Sequence, residues 1–276
     1  MSADVQEQPF ANLLADSYLF TLEKLGINSK DETMISVVPM GVIRDVLPEN
    51  QEITVTNVYD VLSLGRGNDG VSGYPLICMY LTGKEIKVAA EIDASISKLM
   101  SGAQLFISGI SYEINPNRLI LNRVTDVQIM DFEGNTSEIE DDTLYPVVMD
   151  LYSGRMIGSV TNLSYGLISI KPKNANGEPI SDLEELIITY NGKEIKAWTA
   201  VANYLESFSE EGIIPQKYSR IQGRKSIVDD DSLGAILRKP NALIVKIGAI
   251  ILGILVSLVI LIVIIIKSIK KYNLWL

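Results

Sequence analysis

Between Pro9 and Leu25 the apolar residues Phe10, Leu13, Leu14, Tyr18, Leu22 and Leu25 recur three and four positions apart, the period of a helix with one buried face. MISVVP (34–39) reads as a short buried strand. Ile53 then opens ITVTNVYDVLSL, where Thr56 is expected to cap a short helix carrying Val58, Val61 and Leu62. A glycine-rich loop follows, then YPLICMYL (74–81), which reads as a buried strand. KEIKVAAEIDASISKLM (84–100) reads as a helix with Ile86, Ala89, Ile92, Ile96 and Leu99 on one face. QLFISGISYEI (104–114), LILNRVTDVQIM (119–130) and TLYPVVMDL (143–151) read as strands, with the polar EGNTSEIEDD between the last two. A smaller block follows. In it SYGLISIKP and ELIITYNGKEI read as strands joined by the turn-rich NANGEP. KEIKAWTAVANYLESF is an amphipathic helix with Ile195, Trp198, Val201, Leu205 and Phe208 inward.

The pattern changes at Ile247. From there to Ile266 the chain reads IGAIILGILVSLVILIVIII, twenty residues without a charge and with no polar face. Such a helix spans about 30 Å, the thickness of a bilayer's hydrocarbon core. Lys267, Lys270 and Lys271 lie beyond it, while Arg238, Lys239 and Lys246 precede it, so the charge bias that would set topology is weak. MSADVQEQPF has neither the apolar core nor the pattern of a signal peptide. Read alone, that favours a tail-anchored chain with its body in the cytosol. The other reading is the C-terminal part of a longer exported precursor.

Charge narrows the partners. The first 241 residues carry 20 basic against 34 acidic side chains, a balance of −14. That field repels nucleic-acid backbones, so no polymer partner is expected, although a few local arginines can still hold a small phosphorylated ligand. The chain contains no histidine. Triads and dyads that need imidazole are excluded, as are the usual His-bearing zinc sites. Cys78, the one cysteine, lies in an apolar run and is expected in the core.

Three motifs invite chemistry. Gly65-Arg66-Gly67-Asn68-Asp69-Gly70 fits the GxGxxG spacing, but a dinucleotide site needs a strand before it and a helix after it, and here the order is reversed. A mobile loop over a ligand cleft, with Arg66 offered to an anion, fits better. Glu138, Glu140, Asp141 and Asp142 lack the regular spacing of a calcium loop and are read as solvated. Arg44, after the Pro39–Gly41 turn, is either a fork for phosphate or carboxylate or half of a local salt bridge with Asp45.

The order of these segments is what carries a resemblance. PFANLLAD, then VVPMGVIRDVLPENQEITVTNVYDVLSLG, then LTGKEIKVAAEI resembles the C-terminal domain of 5′-nucleotidases and UDP-sugar hydrolases, over about residues 6–158. That domain carries a "GNL..DA" helix, a "GGGIR" turn, an "IT..N" helix ending in "PFG", and an "LTGKE" step from strand to helix. IKAWTAVANYLESF and the terminal apolar helix resemble the membrane-attached members from Gram-positive bacteria. The resemblance implies a layered α/β (α+β) fold, a mixed sheet with helices, displayed outside the cell. With the composition of the remaining segments, the expected organisation is 6–158 as that domain, 159–212 as an extension, 213–246 as a stalk, 247–266 as the span and 267–276 as a basic tail.

It further implies a division of labour. An N-terminal metallophosphoesterase domain holds two divalent metals, zinc or manganese, and hydrolyses. The C-terminal domain grips the nucleotide or nucleoside. With no histidine, this chain is expected to hold no cofactor and to be inactive alone, its metals belonging to a separate domain or chain. The carried-over substrate contacts are Arg44 and Gly41 of the "GGGIR" turn, Leu64 where "PFG" has its phenylalanine, and Tyr152 as the other side of the base clamp, with Arg66 nearby. Pro39 replaces the asparagine that opens the turn, RMIG replaces the "GGDG" that carries a ribose-binding aspartate, and an upstream arginine falls near Asp4.

Overall fold

The computed structural model describes residues 6–27, 33–98, 100–163, 168–208 and 212–273; the expectations at Asp4 and Leu99 lie outside them. Pro9, with no N–H to leave unpaired, sits in the first turn of α1 (Pro9–Lys24). Strand β1 (Ile35–Pro39) follows and ends in a turn of 3₁₀ helix at Met40–Val42. Thr54, not the expected Thr56, caps α2 (Val55–Val61). Its hydroxyl accepts from the Asn57 N–H at 3.3 Å, and the Asn57 side chain accepts from the Thr54 N–H at 2.9 Å. The spacing "IT..N" is therefore a capping box. β2 (Leu76–Thr82) passes into α3 (Gly83–Ile96) through the same device, with Thr82 and Glu85 as the reciprocal pair. A Cβ on Gly83 would meet the Glu140 carbonyl at 2.2 Å, so only glycine fits that step.

QLFISGISYEI is two strands rather than one. Gly109, at φ +93 and packed on the Met34 carbonyl, separates β3 (Leu105–Ser108) from β4 (Ile110–Ile114) and sends them into different sheets. LILNRVTDVQIM is strand only from Val124, as β5 (Val124–Met130). The polar stretch after it contributes β6 (Thr136–Glu138). β7 (Leu144–Asp150) runs directly into α4 (Leu151–Leu163), a helix that the apolar pattern did not announce. Asp150 accepts from the Ser153 N–H at 3.0 Å and so caps that helix.

One sheet has the order β2-β7-β1-β3, with β1 and β7 parallel and the other pairs antiparallel. Both of its faces are buried, which is why its strands read as continuous apolar runs. Alternation splits them cleanly: Ile35, Val37, Ile77, Met79, Val147 and Met149 face α3 and the second sheet. Val38, Leu76 and Val148 face α1, α2 and α5 (Ala197–Glu206). α5 was expected from its period. ELIITYNGKEI is a 3₁₀ turn followed by the short hairpin β8 (Thr189–Tyr190) and β9 (Lys193–Glu194). Of SYGLISIKP, the described residues form no strand; the next residue, Lys173, bridges to Tyr80.

The segment expected as a stalk contributes β10 (Lys225–Ile227), which pairs parallel to β4 in the second sheet, of order β10-β4-β5-β6. It is fastened by buried charge. Asp93 accepts from the Leu105 N–H at 2.6 Å and the Tyr112 hydroxyl at 2.7 Å, and pairs with Lys225 at 2.8 Å. Burial pulls the Lys225 ammonium below its ordinary range, against the opposing pull of Asp93. On the other face Asp16 accepts from Ser108 and Tyr218, each at 2.6 Å, and pairs with Arg224 at 2.8 Å. α6 (Leu233–Leu237) then leads to α7 (Ala242–Asn273), exposed on every side from Ile250 to Ile266. It is long and apolar enough to cross a membrane.

Glu85 links α3 to the chain beyond α4. Burial raises its carboxyl, but hydrogen bonds from Lys173 (2.6 and 2.7 Å), Thr82 and the Lys171 N–H outweigh that and hold it below the usual range. A lowered folded-state value means stability that is present above the unfolded value and lost as pH falls through the folded one. Glu85→Gln is therefore expected to be less stable than the parent at neutral pH, with the gap closing in acid. A gap in urea midpoints that stays constant from neutral pH down through the carboxylate range would contradict this.

Candidate functional site

Because β1 and β7 run parallel, with Ile35 opposite Val147 and Ser36 opposite Val148, their carboxyl ends lie side by side. β2 pairs Leu76 with Asp150, so its amino end comes to the same edge. Three connections meet there: the turn after β1 with Gly41 and Arg44, the first turn of α4 with Tyr152, and the glycine loop before β2 with Leu64 and Arg66. The crevice outside the carboxyl ends of parallel strands is where open α/β sheets bind ligands.

Gly41 is needed because the chain passes close behind it: a Cβ would meet the Gly102 carbonyl oxygen at 3.0 Å. The Arg44 N–H donates to Val61 at 2.9 Å, tying the turn to the end of α2. One guanidinium nitrogen donates to the Gly41 carbonyl, and the side chain is otherwise exposed. Asp45 accepts from the Val46 N–H at 2.8 Å.

Tyr152 stacks on Tyr74, with ring centroids 5.6 Å apart and planes at 24°, and is 38% exposed. Tyr74 in turn covers Gly65, at φ +76, where a Cβ would come within 2.3 Å of the ring. The Tyr74 N–H donates to Leu64 at 2.9 Å, while the Leu64 side chain packs in part on the α1–α2–α5 cluster. Gly41 and Tyr152 also line an apolar cavity of about 260 Å³, with Met100, Met149 and Met156 on its walls. Arg44, Leu64 and Arg66 do not line it.

The glycine loop, expected to be mobile, is fastened. Lys196, buried, donates to Asp69 at 2.7 Å and pairs with Glu194. Glu194 accepts the N–H groups of Asn68 (2.9 Å) and Asp69 (3.3 Å), and Trp198 Nε1 donates to the Ser72 carbonyl at 3.1 Å. The hydrogen bond from Lys196 is the largest influence holding the Asp69 carboxyl below its ordinary value. Arg66 stays exposed, bridged to Ser72. Lys196→Met is expected to lower amide-exchange protection of Gly67 and Gly73 by about tenfold, since local opening then leaves no buried ammonium behind. Unchanged exchange would show that Glu194, Trp198 and the loop's own hydrogen bonds hold it without the ammonium. Nothing in KEIKAW signals this anchor, because a lysine looks the same in sequence whether solvated or buried.

Beneath the edge, burial pushes the Asp150 carboxyl up, against its hydrogen bonds from Ser153. It is enclosed and so serves the α4 cap rather than a reacting group. The exposed chemistry consists of two guanidinium groups and a tyrosine face, which suits recognition of an anion and a flat ring. In place of "GGDG", Arg155 of RMIG lies within α4 and pairs with Glu184. Among the described residues no three His, Cys, Asp or Glu side chains gather to hold a metal ion. The two-metal centre that the resemblance implies for hydrolysis does not fit these residues.

The family model described as "5′-nucleotidase, C-terminal domain" matches residues 1–164. No curated protein matches the chain significantly. Among solved structures, the chain is similar to a 5′-nucleotidase precursor from Thermus thermophilus (TM-score 0.58, 22% identity), covering 83% of this chain and 37% of that one. It is less similar to the NAD nucleotidase of Haemophilus influenzae (0.47, 14%), with coverages of 80% and 33%. The same holds for sulfate thiohydrolase SoxB of Thermus thermophilus (0.49, 15%), with 84% and 34%. The first of these carries the likeness in fold, and the chain spans little more than a third of its length. A family match over more than half of the sequence, on a layered α/β fold of the same kind, means that this chain belongs to the family of the 5′-nucleotidase C-terminal domain.

Proposed function

We propose that this chain is the nucleotide- or nucleoside-recognising part of a 5′-nucleotidase-like hydrolase, acting in nucleotide breakdown and held at a membrane by residues 247–266. Hydrolysis depends on a separate phosphoesterase domain or chain, which holds the zinc or manganese. The observation that carries this reading is that the turn holding Gly41 and Arg44 and the half-exposed Tyr152–Tyr74 stack lie at the same end of the parallel strands β1 and β7, with Gly41 and Tyr152 lining one cavity. Arg44 takes the phosphate or ribose oxygens and Tyr152 the base. Gly41 lets the turn lie close, and Leu64 and Arg66 border the same edge. The span reading is supported by the all-round exposure of α7, which the body leaves uncovered. The body then faces the outside of the cell, as in the membrane-attached members that the chain resembles.

Calorimetric titration of the full chain in detergent with AMP and adenosine tests the binding. Heat of binding is expected, with no release of phosphate from AMP when zinc or manganese is added. Absence of binding to both ligands would sink the recognition reading. Phosphate release that stays with the purified chain would sink the dependence on a second domain.

A further inference from the structure

The body meets α7 without a flexible linker. The Asn241 N–H donates to Asn122 Oδ1 at 2.8 Å, its side-chain amide donates to the Leu121 carbonyl, and its Oδ1 caps the Ile244 N–H at 3.0 Å. Just before it, the buried Arg118 guanidinium binds three carbonyls: Asn122 at 2.6 Å, Ala235 at 3.1 Å and Lys239 at 3.2 Å. Asn117 adds a bond to Asp229 at 2.7 Å. The turn 117–122 and the segment 229–241 are thus one rigid unit at the root of the apolar helix.

That unit exposes large apolar side chains. Leu119 is 58% exposed, Ile120 50%, Leu233 77% and Leu237 68%. Leu233 and Leu237, four apart, share one face of α6. Leu237 precedes the apolar stretch beginning at Ile244 by less than two helical turns, and Arg238 and Lys239 lie between. Exposed leucines and isoleucines beside basic residues are the composition of a surface that lies in the lipid headgroup region.

We propose that the 117–122 turn and α6 form a membrane-contact face that beds the body against the bilayer in a fixed orientation. This rests on the reading of α7 as a span. The occupant is the lipid interface because Asn241 ties the patch directly to the point where the helix leaves the body. The basic residues Arg238, Lys239 and Lys246 lie on the α7 side of α6 and can meet phosphate headgroups, while Asp229, Asp230 and Asp231 lie on its other side, away from the helix root.

The test uses the full chain with Cys78→Ala, reconstituted in vesicles of phosphatidylcholine and phosphatidylglycerol. Single cysteines at Leu119→Cys, Leu237→Cys, Leu258→Cys and Val71→Cys carry an environment-sensitive fluorophore. Nitroxide lipids labelled at the headgroup or at mid-chain supply the quencher. The positions 119 and 237 are expected to lose most of their emission to headgroup-level nitroxide, 258 to mid-chain nitroxide, and 71 to neither. If 258 is quenched but 119 and 237 are not, the span stands and the contact face is refuted. A blue shift at 119 and 237 without lipid quenching means a protein covers them, a second copy included, and also refutes it. If 258 escapes mid-chain quenching, the span reading itself fails and the contact face falls with it.

Discussion

Asp16→Ala is expected to cost the body about 3–5 kcal/mol of stability, the range for removing one partner of a buried ion pair. The Asp16 carboxylate is fully buried and takes hydrogen bonds from Ser108, Tyr218 and Arg224. Without it the buried Arg224 keeps its charge, while its Nε and Nη1 already have no hydrogen-bond partner among the described residues. Burial, and then the Asp16 charge, push the Tyr218 phenol far up, and the neighbouring Tyr204 is pushed up to about 12, mainly by burial. Both hydroxyls therefore stay protonated, and losing Asp16 leaves the Tyr218 hydroxyl with the Tyr204 hydroxyl, 2.6 Å away, in place of a charged acceptor. Asp16→Asn keeps the shape and an acceptor but not the charge, so it should fall between the parent and the alanine variant. Urea unfolding of the full chain in detergent reads the difference. Equal midpoints for parent and Asp16→Ala would mean that the network contributes no net stability.

Arg44→Ala should weaken nucleotide binding by about 1.5–3 kcal/mol, as for a hydrogen bond to a charged group, with exposure favouring the lower end. Roughly tenfold in Kd is the corresponding minimum. Arg44→Lys separates charge from geometry, because lysine keeps the charge and loses the planar fork. If the fork matters, lysine recovers little of the affinity. Calorimetry with AMP gives the answer, and unchanged affinity in the alanine variant would return Arg44 to an ordinary solvated charge.

Local periodicity made α1, β1, β2, α3, β7 and α5 legible, because each has one or two apolar faces at a regular spacing. The misreadings share a cause, a backbone detail that hydropathy does not encode. Gly109 divides an apparently continuous strand, Thr54 caps two residues before Thr56, and Asp150 caps a helix beginning at Leu151 that the pattern did not announce. Segment order supplied Arg44, Gly41 and Tyr152, but only the parallel pairing of β1 with β7 brings them to one edge. Lys196 with Asp69, and Asp16 with Arg224, pair across 127 and 208 positions. No window along the chain contains both members of either pair.

Among the described residues, the two buried acidic side chains nearest the amino end are Glu7 and Asp16, which take partners from Tyr218, Gln222 and Arg224 as well as from Asn12 and Ser108. Ribosomes make chains from the amino end, so Asp16 waits through about two hundred residues of synthesis for the Arg224 guanidinium, and Glu7 for the Gln222 and Arg224 N–H groups. Those groups emerge just ahead of α7. The body can close only once residues 218–224 have been made, so its closing and the appearance of the apolar helix α7 fall together in time.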